Sequence, residues 1–329
     1  MFYQTLNQNR LTASESKPWH GSECTQPVDS KPRLRQAFTL LELLLVLACV
    51  FFLAVLILPA FAGTTRTKSK ALQCLQNQRQ IMAAMLMYTH DNNDFFPPNP
   101  DDGNTLPGHN WCPGQAGIGG ANEYDPDILS DERFNLLAVY LKGEIGLYHC
   151  PTDPRPLGRA SGSSSKNPVY ADKFIPPART VSMSGAVGTV CATFKNGGSG
   201  HGANKPPVYP VDGPWLDNSH SHKANQPWRT YGKTSDVVAP TPGKLFVLMD
   251  ENTLGLNDST FSFGMNTAEW IDYPGVAHER GCSLAFADGH AEIHKWADAR
   301  TRVTELRRTL VPGSPDWLWM SEHTSAKAE

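Results

Sequence analysis

The chain has 329 residues, of which 40% are hydrophobic and 19% are charged, enough for one or two folded domains. Its formal net charge of −3 is too small to indicate nucleic acid or an acidic surface as a partner. Seven cysteines occur without a Cys-x-x-Cys pair, which argues against a zinc ribbon or a thioredoxin-type site and leaves any disulfide pairing open.

One long apolar segment follows the N-terminal tail. It runs from Phe38 to Ala62 with Glu42 as its single charge, and as a helix it would span roughly 37 Å, enough for a bilayer core of about 30 Å. We therefore expect a transmembrane helix. The basic residues before it, Lys31, Arg33 and Arg35, favour a cytoplasmic N-terminus and an exported remainder. The alternative is a secretory signal peptide, because Ala60 and Ala62 form an Ala-x-Ala-like end.

Glu42 is the most informative residue of this segment, since a charge in an apolar helix usually marks function or a specific partner. The run Ala37-Phe38-Thr39-Leu40-Leu41-Glu42 resembles the start of type IV prepilins and type II secretion pseudopilins. The resemblance implies that a prepilin peptidase cleaves between Ala37 and Phe38 and methylates the new amine. It also implies that Glu42 pairs with the amine of a neighbouring subunit in a filament. Ala37 stands where the family usually has Gly, and the leader is long.

The segment from 63 to 97 is predicted to continue as an amphipathic helix. Leu72, Leu75, Met82 and Leu86 recur at near-helical spacing, and we expect this stripe to pack on the protein's own sheet. Asn, Asp and Pro accumulate from Tyr88 onward and predict the end of the helix.

The remaining chain predicts a mixed head. Residues 99–131 are rich in Gly, Pro and Asn and indicate a surface loop, and "RFNLLAVYLKG" indicates a short helix with Gly143 as its C-cap. "ARTVSMSGAVGTVCATF" predicts one or two strands, and "KLFVLMDEN", Lys244 to Asn252, predicts a buried strand followed by an acidic turn.

A hairpin is predicted in "GCSLAFADGHAEIHKW", with Asp288 and Gly289 as a two-residue turn. With that turn one face would carry Cys282, Leu284 and Phe286 on the first strand and Ala291 and Ile293 on the second.

A second resemblance rests on His278, nine intervening residues, and then Asp288-Gly289. This spacing is similar to the C-terminal His-x9-Asp-Gly signature of prepilin-type proteins abundant in Planctomycetes and Verrucomicrobia. The stretch "YHCPTDP" in the middle of the chain and the N-terminal motif accompany it.

Two groups of residues are candidate metal ligands. The first group is His278, His290 and His294 with Asp288, but His290 and His294 would lie about 13 Å apart along a strand, too far to share an ion. These histidines are therefore interpreted as polar residues around a hairpin. Asp250, Glu251 and Asn252 are weak candidates for calcium, and an acidic turn solvated by water is favoured because no EF-hand spacing is present. Calcium is the one cofactor left open, and no other is expected.

The sequence thus predicts an α+β, pilin-like fold in which a long N-terminal transmembrane helix continues into an amphipathic helix packed on a C-terminal antiparallel β-sheet head. The expected divisions are a cleaved leader (1–37), the transmembrane helix (38–62), the amphipathic helix (63–97), the head (98–310) and a C-terminal tail (311–329).

The expected function is that of a pseudopilin-like subunit. Its expected partners are the prepilin peptidase, other pilin subunits and the inner membrane, with the N-terminus cytoplasmic and the head outside. The alternative is an anchored surface protein that binds a glycan or protein ligand through aromatic residues in its loops, namely Trp111, Trp215, Trp228 and Tyr231. An anchored hydrolase ranks below both, because no nucleophile elbow, Walker loop or His-Glu-x-x-His motif is present. No enzyme activity is expected.

Overall fold

The computed structural model describes residues 39–190, 209–220, 227–303 and 308–328, without the side chains of 54–67 and 209. The chain divides into two compact units, Met1–Ile57 and Leu58–Glu329. The leader and the cleavage site expected at Ala37 and Phe38 lie outside the described residues.

Three α-helices are described: α1, Leu40–Asp91; α2, Asp127–Ser130; and α3, Pro315–Thr324. The last helix begins at a Ser314 N-cap, whose hydroxyl accepts a hydrogen bond from the Trp317 backbone, with Pro315 in the first turn. Short 3₁₀ turns cover Ile145–Tyr148, Ser164–Lys166, Thr234–Asp236 and Ala299–Thr301.

The prediction of a transmembrane helix at 38–62 is wrong for the described residues. Within the described part of the chain, no helix is both long and apolar enough to cross a membrane.

Among the described residues, eleven strands follow α1: β1 Gly158–Arg159, β2 Phe174–Ile175, β3 Val181–Ser184, β4 Thr189–Val190, β5 Tyr209–Pro210, β6 Phe246–Asp250, β7 Thr260–Phe261, β8 Glu269–Trp270, β9 Gly281–Phe286, β10 Ala291–Lys295 and β11 Thr309–Leu310. The main sheet has five strands in the order β10-β9-β6-β3-β7, and β1-β2, β4-β5 and β8-β11 form small pairs. The strands predicted in "ARTVSMSGAVGTVCATF" and "KLFVLMDEN" are confirmed as β3, β4 and β6. The predicted antiparallel sheet is wrong in one respect, because β3 and β7 pair in parallel.

The central strand β6 is buried along its whole length, as expected for a short apolar run in the middle of a sheet. The C-terminal part of α1 contributes a buried stripe to the same core. Its buried positions recur at the 3.6-residue period and are Cys74, Asn77, Gln78, Ile81, Met82, Ala84, Met85, Tyr88 and Thr89. Met82 was predicted on this stripe, whereas Leu72 is 58% exposed.

The hairpin between β9 and β10 is confirmed, but its turn has three residues instead of two. Phe286 N–H donates to His290 O and Gly289 N–H to Phe286 O, so Ala287, Asp288 and Gly289 form the loop, with Gly289 at φ +94°. Because the pairing shifts by one residue, the predicted faces are wrong. Ala291 lies opposite Ala285, and Ile293 lies opposite Ser283.

Two loop predictions also need correction. Residues 99–131 do not form a surface loop, because Asn99, Trp111 and Cys112 are fully buried. Inside the head, the Trp111 indole donates a hydrogen bond to the Asn99 side chain. The segment predicted as a helix before Gly143 forms successive turns, and Gly143 takes a left-handed φ of +71° where the turns end.

Candidate functional site

The first turn of α1 is closed by a reciprocal pair of hydrogen bonds between Thr39 and Glu42. The Glu42 carboxylate accepts from the Thr39 backbone N–H and hydroxyl, both at 3.0 Å, and Glu42 N–H donates to Thr39 Oγ1 at 3.2 Å. This is a capping box, in which each residue satisfies a free group at the helix start. The pKa of Glu42 is lowered, because the Thr39 backbone and side chain both donate to the ionised form.

The helix beyond this cap is apolar on all sides. Eleven large apolar side chains between 40 and 53 are 50–80% exposed, and Cys49 is exposed among them. They occupy nearly consecutive positions and so do not form a single stripe. A helix that is apolar all round is normally covered by other apolar groups.

A second group of chemically active side chains lies inside the unit that begins at Leu58. Ligand atoms of Cys74, Cys150, Asp250 and His278 all lie within 4.8 Å of one another. Each of the four residues is at most 4% exposed. We call these four residues the buried cluster.

The cluster is assembled from four separate segments. Cys74 is the first residue of the buried stripe of α1, and Asp250 is the last residue of β6. Cys150 follows a 3₁₀ turn and begins a tight turn in which Asp153 N–H donates to Cys150 O at 3.0 Å. His278 precedes β9, where it exchanges backbone hydrogen bonds with Gly281.

Gly275 allows the His278 segment to approach β6. Its N–H donates to Asp250 O at 2.8 Å, and a Cβ added at this position would lie 2.7 Å from the same oxygen. Only glycine permits this contact without a shift of the backbone.

The polar contacts within the cluster are short. Cys74 Sγ lies 2.6 Å from Asp250 Oδ2, and Cys150 Sγ lies 3.3 Å from His278 Nε2. Around them, the Thr180 hydroxyl donates to Asp250 Oδ1 at 2.9 Å and the Ser283 hydroxyl donates to Oδ2. Asp250 is therefore held on both oxygens.

Proximity shifts the pKa values of all four groups. The pKa of Cys150 is lowered to about 4, because of its interactions with the Cys74 side chain and with the His278 ring, against the effect of burial. The pKa of Cys74 is raised by its interaction with the Cys150 side chain, by burial and by the charge of Asp250. Burial raises the pKa of Asp250 to about 6, and the charge on Cys150 adds to this effect. Burial lowers the pKa of His278, but the contact with Cys150 outweighs it and the net direction is upward.

The sequence singled out only part of this cluster. Asp250 and His278 were considered as ligands, but with other partners, and Cys74 and Cys150 were missed. The acidic turn expected in water is buried instead, with Glu251 2% and Asn252 6% exposed. Ser182 donates a 2.5 Å hydrogen bond to Glu251. Asp250, Glu251 and Asn252 therefore do not form the solvated turn that was favoured.

The other histidines of the hairpin have different contacts. His290 stacks on Phe286 and contacts Asp288, while His294 stacks on Trp319. Asp288 and Gly289 of the signature form the hairpin turn, at the opposite end of β9 from His278.

A pocket of about 490 Å³ borders the cluster. Cys150, Asp250 and His278 contribute to its wall, together with the Asp153–Pro156 turn and Val276. The pocket therefore adjoins three of the four residues of the buried cluster.

The aromatic residues considered for ligand stacking hold loops together. Trp111 and Tyr231 are fully buried. Trp215 stacks on His220 and donates to Asp101, and the Trp228 indole donates to Asn266. These contacts fasten the loops, which argues against the expectation that the four aromatic side chains stack on a ligand.

The fold and the cluster together define an α+β protein with an exposed apolar helix start and a buried donor set of two thiols, one imidazole and one carboxylate. No family model, no curated protein and no solved structure matches the chain.

Proposed function

We propose that the protein is a pseudopilin-like assembly subunit, in which the apolar start of α1 packs against the same segment of other copies. The observation that carries this proposal is the exposed apolar surface of residues 40–53, interrupted only by the carboxylate of Glu42. Covering these side chains would contribute about 25 cal/mol for each Å² of apolar surface removed from water.

Glu42 supports a second copy as the occupant. Cleavage between Ala37 and Phe38 would leave a terminal amine one residue before Thr39, so the capping box would remain intact in the mature chain. The same carboxylate would then be available to pair with the amine of a neighbour and fix the register of packed helices. Cleavage by a prepilin peptidase and location at the inner membrane remain predictions.

The test uses Cys49, the exposed cysteine of α1, as a cross-linking site. In full-length protein with Cys24→Ser and Cys191→Ser, co-expressed with a prepilin peptidase, thiol cross-linking should yield covalent dimers. Cys49→Ser should abolish them. Intact mass should give a chain beginning at N-methylated Phe38.

The decisive variant is Glu42→Gln, because Gln preserves the capping box and removes the charge. We expect at least a tenfold loss of cross-linked dimer, while Glu132→Gln, at an exposed carboxylate elsewhere, changes nothing. Dimers that form equally well with Glu42→Gln would refute the pairing role. Absence of dimers from the processed parent protein would refute assembly through this segment.

A further inference from the structure

We propose that Cys74, Cys150, Asp250 and His278 bind one Zn²⁺ as a structural site. Their donor atoms lie within 4.8 Å of one another, and the four residues are 1%, 3%, 4% and 2% exposed. Four donors at such distances are what a tetrahedral ion requires.

The chemistry of the donors selects zinc. Thiolates and imidazole are ligands for Zn²⁺, whereas Ca²⁺ and Mg²⁺ take six or more oxygen ligands or retain water. An iron–sulfur cluster normally needs four cysteines, and this cluster has two. Two thiolates and one carboxylate carry three negative charges, and Zn²⁺ offsets two of them. Both cysteines bind as thiolates and His278 binds as a neutral imidazole, so any proton that these groups still carry is released to solvent on binding.

The distances agree with this geometry after a small movement. Zinc bonds of about 2.3 Å to sulfur and about 2.0 Å to nitrogen or oxygen give ligand–ligand edges of roughly 3.5 Å in a tetrahedron. The Cys150–His278 contact of 3.3 Å is close to that edge. The Cys74–Asp250 contact of 2.6 Å would widen by about 1 Å on binding.

The surrounding groups orient the ligands as outer-shell partners do in metal sites. Thr180 links two of them, since its hydroxyl accepts from Cys150 N–H and donates to Asp250 Oδ1, both at 2.9 Å. Ser283 lies between the other pair, with its oxygen 3.2 Å from Cys74 Sγ and also bonded to Asp250. His278 is the exception among the four ligands, because its Nδ1 is buried without a hydrogen-bond partner in the described part of the protein.

The closed donor set favours a structural role over catalysis. A catalytic zinc keeps one position for water, and four protein ligands fill a tetrahedron. A nucleophilic thiolate on Cys150 is the competing interpretation, because Cys150 borders the pocket and contacts His278. Its sulfur, however, is also in contact with the Thr152 hydroxyl at 2.9 Å, and the residue is 3% exposed. The ion would join α1, the Cys150 turn, the end of β6 and the His278 segment.

The first experiment measures metal in the full-length protein purified under reducing conditions. Elemental analysis and native mass spectrometry should give one zinc per chain. Cys74 and Cys150 should resist alkylation until a chelator removes the ion, and the chelator should lower the Tm. Cobalt in place of zinc should give the ligand-field spectrum of a tetrahedral site with sulfur ligands.

Variants locate the ion. Cys74→Ser and His278→Ala should each reduce zinc affinity by more than 100-fold, because removal of a ligand costs more than the 10–100-fold typical of an outer-shell partner. Cys112→Ser and His294→Ala are matched controls, since they remove a buried cysteine and a histidine outside the cluster and should keep one zinc per chain. Where a ligand variant does not fold, the parent protein still decides the question through its metal content and its chelator-dependent alkylation.

Three results would overturn the proposal. One is a metal-free reduced protein whose Tm is unchanged by added Zn²⁺. Another is a Cys74–Cys150 disulfide in the protein as isolated, seen as the loss of two hydrogens in the intact mass. The third is rapid alkylation of Cys150 alone in untreated protein, which would indicate a nucleophilic thiolate.

Discussion

Asp272 provides a test of how burial of carboxylates shapes the stability of the head. Its carboxylate accepts a 2.6 Å hydrogen bond from Ser262 N–H, and it lies in a group that includes Glu251, Asp258 and the fully buried Arg179. Burial raises the pKa of Asp272 from 3.8 to about 7, despite the Ser262 hydrogen bond, and the charge of Asp101 adds to the effect.

The raised pKa of Asp272 determines how its contribution to stability changes with pH. The folded state holds the Asp272 proton more tightly than the unfolded state, so this group contributes stability below pH 3.8 that is lost as pH rises to about 7. The difference between the two pKa values corresponds to roughly 4 kcal/mol as an upper bound. Asp272 is only half-buried, and solvent screening reduces the expected effect to about 2 kcal/mol.

Asp272→Asn cannot ionise but retains an oxygen for Ser262 N–H. At pH 5 we expect the variant to match the parent or to be less stable by about 1 kcal/mol, because the amide adds a donor that needs a partner. At pH 8.5 the variant should be more stable by about 1–2 kcal/mol, a rise in Tm of roughly 4 °C. Thermal unfolding followed by tryptophan fluorescence measures both values under identical metal conditions.

A control of opposite sign is available at Asp298. Its pKa is lowered to about 2, because the Arg300 side chain donates to it, so its contribution to stability is present above pH 3.8 and is lost toward pH 2. Asp298→Asn should therefore lower the Tm at neutral pH. If the Tm difference between Asp272→Asn and the parent is the same at pH 5 and pH 8.5, the raised pKa of Asp272 is wrong.

Two further predictions concern the cluster and the sheet. Thr180→Val removes the hydroxyl that donates to Asp250 and should weaken zinc binding 10–100-fold in competition with a chromophoric chelator. Ser182→Ala, which acts on Glu251 instead, should leave the affinity unchanged, and equal losses would contradict this role. Leu248→Ala in the fully buried β6 should cost about 2–5 kcal/mol by thermal unfolding. Leu310→Ala, 62% exposed, should cost almost nothing, and similar losses would contradict the placement of the core.

Local pattern was enough to predict the central strands and the hairpin. A short apolar run bounded by Pro242-Gly243 became β6, and alternation around Asp288-Gly289 became β9 and β10. The faces of the hairpin were predicted wrongly because loop length decides register. One extra residue, Ala287, in the turn moves every side chain of β10 to the other face.

The cluster could not be predicted from spacing. Cys74 and Asp250 are 176 residues apart, and Cys150 and His278 are 128 apart, so no local ligand motif exists. Tests for Cys-x-x-Cys or paired histidines find ligands that share one turn or one helix. Here the ligands come together only when β6 pairs with its neighbours and α1 covers the sheet.

Burial was predicted poorly wherever polar residues dominate. The stretch before Asp131 and the turn after β6 are polar in sequence, yet Asn99 and Glu251 are buried, because hydrogen bonds inside the head satisfy their side chains. Composition alone indicates loops at the surface, since it does not show that partners for the polar groups exist elsewhere in the fold.

The spacing between His278 and Asp288-Gly289 has a physical reason in this fold. A four-residue turn from His278 to Gly281 starts β9, the strand runs six residues to Phe286, and the Asp288-Gly289 turn returns the chain as β10. Along this strand Ser283 contacts both Cys74 and Asp250. One residue more or fewer between the two turns would turn Ser283 away from the cluster or shift the β9–β10 register. The spacing of nine residues therefore couples the position of His278 in the cluster to the register of the hairpin.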